Sequence, residues 1–290
     1  MVVLASPFAM ASAAIHPRRH AIVVLCALVL AAIAAPSGVG QEAPATNYTA
    51  VEIESGAAIS GTVKWTGPIS KIPHLAITKD VKVCDPVGAK TVDLQRLVIG
   101  ADSGVANTVV YLKDLTRGKA WDLPPSEQTL DQKACAYVPH IMLVPVGGAV
   151  QIKSSDPILH TVHMVGAATY NLPFPFQNQF VTRTMHIAGG VELKCNAGHV
   201  WMNAEALVVA HPYYAITDAH GNLTLTNVPP GNYEVVAWHE GWKVVSEEAV
   251  LDVGSQVMVK RPIYSQPRTW QKQVTLHPVH NATVDFELSE

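Results

Sequence analysis

The sequence predicts an all-β protein, and three observations carry the prediction. Apolar residues recur with period two over short runs, the spacing that turns one face of a strand inward. Gly and Pro pairs interrupt those runs at turn spacing. No segment keeps a 3.6-residue apolar stripe for three turns, which argues against long amphipathic helices. Many short strands between frequent turns indicate sandwiches or barrels.

In chain order, Ala58–Trp65 alternates as AISGTVKW, and Thr108–Leu112 (TVVYL) is rich in β-branched residues that fit a pleated surface. Ile141–Val144 and Val150–Lys153 flank a turn at Gly147-Gly148, while Phe180–Ile187 and Val191–Cys195 flank Gly189-Gly190. Ala206–Val209, Leu223–Thr226, Tyr233–Trp238, Val244–Val253 and Val257–Pro262 follow. Residues 266–290 show no clear pattern apart from Thr283–Leu288, which reads as one last strand.

Composition bounds the function. The chain has 290 residues, 49% hydrophobic and 15% charged, too apolar for a disordered protein. Its four Cys are too few for a disulfide-dense mini-protein. Residues 1–40 read as a secretory signal. Arg18 and Arg19 precede an uncharged run from Ala21 to Ala35, and small residues follow. A bilayer span needs about 20 apolar residues, so the run is short for a retained anchor. Export, periplasmic or secreted, places the rest in an oxidising compartment where disulfides persist. Removing that segment leaves 18 basic against 23 acidic residues, a net charge of −5. No Lys/Arg cluster remains to track a phosphate backbone, so neither nucleic acid nor, after signal cleavage, a membrane is an expected partner.

The signal also removes Cys26 and leaves an odd set: Cys84, Cys135 and Cys195. Export favours a Cys84–Cys135 disulfide over two buried thiols. Closing that loop of about 50 residues would contribute ~4 kcal/mol on chain-entropy grounds.

Cys195 ends a strand in which Val191, Leu193 and Cys195 share one face, and the two apolar members mark that face as core. It opens a C-x3-H-x2-M loop, Cys195-Asn-Ala-Gly-His199-Val-Trp-Met202. Such a loop brings a thiolate, an imidazole and a thioether to one point. Mononuclear copper uses this set plus one more His. Asp156-Pro-Ile-Leu-His160-Thr-Val-His163-Met164 offers that His. With His160 inward, Val162 and Met164 share its face and His163 points away, so His160 is favoured and His163 is the substitute. Singly, each donor reads as an ordinary buried thiol, surface His or core Met; their joint occurrence points to metal. Zinc is the rival, but structural zinc sites prefer more Cys or His and no thioether. His211, if the chain is extended, would lie ~30 Å away and is excluded as a ligand. His239 either caps a strand or marks a second site, and His140 and His186 read as structural or exposed. The chain carries no G-x-S-x-G, P-loop or G-x-G-x-x-G motif.

The stretch from His160 to Met202 resembles the cupredoxin family. There the first His ligand precedes a small polar residue, here Thr161 where many members have Asn. The Cys, second His and axial Met follow on a late loop, here Cys195, His199 and Met202. The loop is also similar to half of the binuclear copper loop of cytochrome oxidase. The extra Cys that site needs is Val191 here, so the resemblance implies one type 1-like copper. The flanks resemble a carboxypeptidase regulatory-like, transthyretin-like sandwich through Gly61-Thr-Val63, Asn107–Leu112, the Thr217-Asp218-x-x-Gly221 turn and Pro229-Pro230-Gly231. The implied division is a signal at 1–40, sandwich halves at 41–125 and 211–265, and a cupredoxin-like Greek-key sandwich at 126–210. A tail with one last strand follows at 266–290. Over roughly residues 55–260 the chain is similar to exported bacterial proteins described as methylamine-utilisation-like. The resemblance implies electron transfer rather than an enzyme, with His199 as an exposed edge toward a redox protein such as a c-type cytochrome. The alternatives are a copper carrier and a non-catalytic carbohydrate-binding or adhesive module.

Overall fold

Runs with one face buried and the other exposed recur along this chain, and most become strands of one of two sandwiches. The protein is seen in a computed structural model that describes residues 47–69, 72–121, 128–252 and 255–290; the expected signal segment and Cys26 lie outside them. Among the described residues the chain begins with β1 (Thr49–Ala50) and β2 (Ala57–Trp65). The pair β3 (Leu75–Ala76) and β4 (Thr91–Val92) then encloses a one-turn helix, α1 (Val81–Cys84). After β5 (Val109–Leu112) and β6 (Arg117–Gly118) come β7 (Thr129–Lys133), β8 (Ala136–Val138), β9 (Ile141–Pro145) and β10 (Ala149–Ser154). Next are β11 (His160–Gly166), β12 (Tyr170–Phe174), β13 (Phe180–Thr184), β14 (Gly189–Lys194) and β15 (Asn203–Val209). The remainder is β16 (Tyr214–Ile216), β17 (Asn222–Val228), β18 (Gly231–His239), β19 (Val244–Asp252) and β20 (Val257–Tyr264). It closes with β21 (Arg268–Leu276), β22 (Ala282–Thr283) and β23 (Phe286–Leu288). The all-β expectation holds.

The first sandwich pairs a sheet ordered β12-β11-β14-β15-β9 with one ordered β13-β10-β7-β8. Their inner faces share a core that includes Leu130, Ile152, Met164, Phe174 and Leu193. The second pairs β17-β2-β22, with β23 also on β2, with a sheet ordered β16-β5-β18-β21. Ile59, Leu112, Leu225, Trp242 and Phe286 fill it. Its strands come from both ends of the described chain, so β7 to β15 lie between β5 and β16 in sequence. A small third cluster, Val109, Ile141, Leu207 and Val209, joins the two. The stacked rings of Tyr111 and Tyr214, 4.8 Å apart, stand beside it. β19 and β20 form a separate antiparallel ribbon.

Four local readings change. Gly189-Gly190 is not a turn; both residues lie in β14, opposite Val208 and Leu207. Residues 268–276, expected as tail, form a nine-residue strand paired along the whole of β18. The last strand is split, because the Val284 carbonyl approaches Gly61 so closely that a Cβ there would lie 1.7 Å from it. Asp285 Oδ1 accepts the Thr62 N–H at 2.8 Å in place of a ladder bond. Finally, the segment carrying α1 packs on the first core through Leu75, Ile77, Val83, Val92 and Leu94, although its sequence position falls within the other sandwich's first half.

Candidate metal centre

Strand alternation sets the first two donors. In β11, His160, Val162 and Met164 are buried and His163 is half-buried on the other face. In β14, Val191 and Leu193 are buried, and Cys195 follows just past the strand end, also fully buried. The strands pair antiparallel, with His163 opposite Lys194, which carries Cys195 toward His160. The loop beyond must turn back at once. Gly198 permits this with φ +86°, and a Cβ there would meet the Asp252 carboxylate within 2.5 Å. His199 is thereby brought over the thiol, and the Met202 N–H closes the turn on the His199 carbonyl at 3.0 Å.

The result is a buried cluster in which ligand atoms of His160, Cys195 and His199 lie within 4.8 Å of one another. The two Nδ1 atoms are 3.2 Å apart, and His199 Nδ1 is 3.7 Å from the Cys195 sulfur. The outward ring nitrogens are both held by carboxylates. His160 Nε2 donates to Asp156 and His199 Nε2 donates to Asp80, each at 2.9 Å. Such carboxylate–imidazole pairs fix ring orientation and raise basicity at ligating histidines. The sulfur receives the Thr161 N–H at 3.5 Å and lies 3.8 Å from Thr161 Oγ1. That same hydroxyl accepts the Asn196 N–H at 2.6 Å, so Thr161 ties the donor loop to β11. Arg261 from β20 donates to the Cys195 carbonyl at 2.6 Å.

The electrostatics suit a thiolate. Burial raises the Cys195 thiol, but donors from His160 and His199 outweigh it and bring it down to about 5. Burial pulls His160 down, yet Asp156 and the neighbouring sulfur push it up to about 9. Burial also raises Asp156, and the His160 ring together with the Cys135 and Ala134 N–H groups hold its carboxyl below the usual range.

Met202 is buried in the same core and belongs to the same loop. His163 joins none of the clusters of three or more potential ligands among the described residues. Its Nδ1 is buried without a hydrogen-bond partner. Cys84 and Cys135 form a disulfide with an S–S distance of 2.03 Å. Cys195 is the free thiol among the described residues. One expectation fails: His199 is not an exposed edge. It is 0% exposed, covered by the Asp80 segment, which Lys79 fastens to Asp252 at 2.5 Å. Sequence reading also missed Asp80 and Asp156. Asp156 was within reach, four residues before His160; Asp80 lies 119 residues from His199 and left no local signal.

The other histidines weighed in the sequence are placed as follows. His140 bonds Glu240, which also pairs with Arg96 at 2.7 Å, and His239 Nδ1 bonds the Glu240 carbonyl at 2.8 Å. His186 is exposed. His211 is buried and accepts the Tyr213 N–H at 3.3 Å.

The described chain is an all-β protein with a buried Cys/His cluster. Among solved structures it is similar to a copper-containing nitrite reductase from Thermus scotoductus SA-01, at 18% identity over 31% of this chain with a TM-score of 0.27. That overlap spans only 24% of the reductase chain. It is also similar to a reduced single-residue variant of amicyanin, at 23% identity over 30% of this chain and 87% of amicyanin, with a TM-score of 0.27. An oxidised amicyanin variant gives 22% identity over 31% of this chain and 89% of that one, with a TM-score of 0.27. A family profile for the second beta sandwich domain of BOS complex subunit NOMO1-like proteins matches residues 210–262. No curated protein matches the chain. No helix among the described residues is long and apolar enough to cross a membrane.

Proposed function

We propose that the protein is an exported, mononuclear copper protein that transfers electrons, in which His160, His199 and Cys195 would be the strong ligands and Met202 the weak fourth one. The observation that carries this reading is the convergence of donor atoms of His160, His199 and Cys195 within 4.8 Å of one another, with each outward ring nitrogen already held by a carboxylate. A bound copper ion would supply a one-electron couple; two imidazoles, a thiolate and a thioether are the donor set of type 1 sites. The chain's own part is to hold the donors rigid between two strands and to exclude water. The Thr161 N–H places a weak donor on the sulfur. A disulfide and the segment 1–40 fit a periplasmic or secreted location, where a c-type cytochrome is a suitable partner. In this reading residues 126–210 are a cupredoxin-like module set into a regulatory-like sandwich, as in the methylamine-utilisation-like proteins.

A test is visible absorption on adding Cu(II). Intense thiolate-to-copper charge transfer is expected, lost in Cys195→Ser and kept in His163→Gln. One equivalent of bound Cu(II) without that band overturns the reading.

A copper carrier is the second reading, and the buried, covered His199 favours it. Electron exchange with reduced cytochrome c at a rate independent of the cover supports transfer. Copper bound without exchange supports a carrier. Glycan binding indifferent to Cys195→Ser would instead support the adhesive alternative.

A further inference from the structure

The Cys84–Cys135 disulfide lies against the His/Cys cluster. Both sulfurs and a ring nitrogen of His199 lie within 4.8 Å of one another, and Cys135 groups in the same way with Asp156 and His160. We infer that this disulfide is a masked pair of metal ligands: on reduction, the Cys84 and Cys135 thiolates join His199 in a second site, for a soft monovalent cation such as Cu(I). The inference competes with the centre proposed above for His199, so the two sites are alternatives for that imidazole, but it needs neither Cys195 nor Met202.

Both sulfurs are positioned by contacts other than their mutual bond. The turn carrying Cys135 is pinned by Asp156, whose carboxylate accepts the Ala134 and Cys135 N–H groups at 2.8 Å each. The Trp201 indole donates to the Cys135 carbonyl at 3.1 Å. Cys84 sits on α1, just after Asp80; the Cys84 N–H bonds the Asp80 carbonyl at 3.0 Å while the Asp80 side chain holds His199. Val83 and Ile77 pack this segment on the core. Opening the S–S bond therefore leaves the two thiols beside the same imidazole. Thiolates are soft donors and select Cu(I) over harder cations.

The chemistry balances with a dithiol reductant. One thiolate of the dithiol attacks the half-buried Cys84 sulfur, the S–S bond breaks, and Cys135 leaves as a thiolate. The second thiol of the reductant then attacks the mixed disulfide and releases Cys84. Two electrons pass to the protein's sulfurs, and the reductant departs as its own disulfide.

The test uses the purified full chain carrying Cys195→Ser, so that failure of the Cys195 centre does not affect the result. Oxidised protein and protein reduced with a phosphine, then desalted without oxygen, are titrated with Cu(I) held by bicinchoninate. Reduction should raise Cu(I) affinity by about tenfold or more, with two sulfurs and a nitrogen per copper in X-ray absorption. Adding Cys84→Ser and Cys135→Ser should abolish the gain, and His199→Gln should weaken it. Equal affinity in the two redox states overturns the inference. So does loss of the far-ultraviolet strand signal on reduction, because the site requires a folded protein.

Discussion

Asp80 acts on the cluster through one hydrogen bond to His199. Its side chain is 34% exposed, so the core does not depend on it. Asp80→Asn also tolerates the left-handed backbone at this position, φ 48°. It should leave the melting temperature nearly unchanged while lowering copper affinity by about tenfold or more, read by chelator competition. A purely structural Asp80 would give the opposite pattern. The donors themselves were legible in sequence because the loop delivers three of them within eight residues and strand parity selects His160 over His163. Their carboxylate partners were not, since they are recruited through the fold.

Two other residues set opposite pH windows. Burial lowers His211 from 6.5 to about 4. The unfolded chain thus binds the extra proton first, and the stability His211 provides is present above pH 6.5 and lost toward pH 4. Its size is on the order of 3 kcal/mol. Urea denaturation of His211→Gln should show a flatter loss of stability over that window. Burial raises Glu205 to about 8, with the nearby Glu240 adding to the effect. Here the folded protein holds the proton more tightly, so stability falls as pH rises from 4.5 to 8. Glu205→Gln should therefore gain stability over the parent at pH 8 and little at pH 4.5.

At the scale of elements, most strands were visible from alternation alone, and the exceptions have physical causes. β21 hides because Lys272 occupies its inward row between Trp270 and Val274. Its ammonium lies 5.9 Å from the Phe286 ring centre, with the stem free to cover apolar surface. β12 contains Pro173, which demotes a strand reading, but it is an edge strand where a missing N–H is tolerated. The second sandwich needs these late strands. Phe286 is 1% exposed within that core. Phe286→Ala should cost about 3–5 kcal/mol in chemical denaturation, far more than a change in a dispensable tail.

At the scale of the molecule, two cores meet at Val109, Ile141, Leu207 and Val209. If that junction couples them, metal bound to the first sandwich stabilises both. Copper at a thousandfold excess over its dissociation constant should add about 4 kcal/mol. The gain should appear equally in fluorescence from Trp201 in the first core and Trp242 in the second, with the other indoles replaced by Phe. A shift confined to Trp201 would show that the sandwiches unfold separately.

The pairing of β2 with β23 also orders events in time. Thr62 meets Asp285 across 223 residues, and such distant contacts form late because closing a long loop costs entropy before any contact repays it. The candidate donors and their two carboxylate partners all precede residue 203, whereas Asp252 and Arg261, which hold the cover and the donor loop, follow it. In a chain growing from the ribosome the imidazoles, thiol and carboxylates are thus synthesised before the residues that clamp them, while the strand beginning at Ala57 waits, half-paired, for residues 282–288.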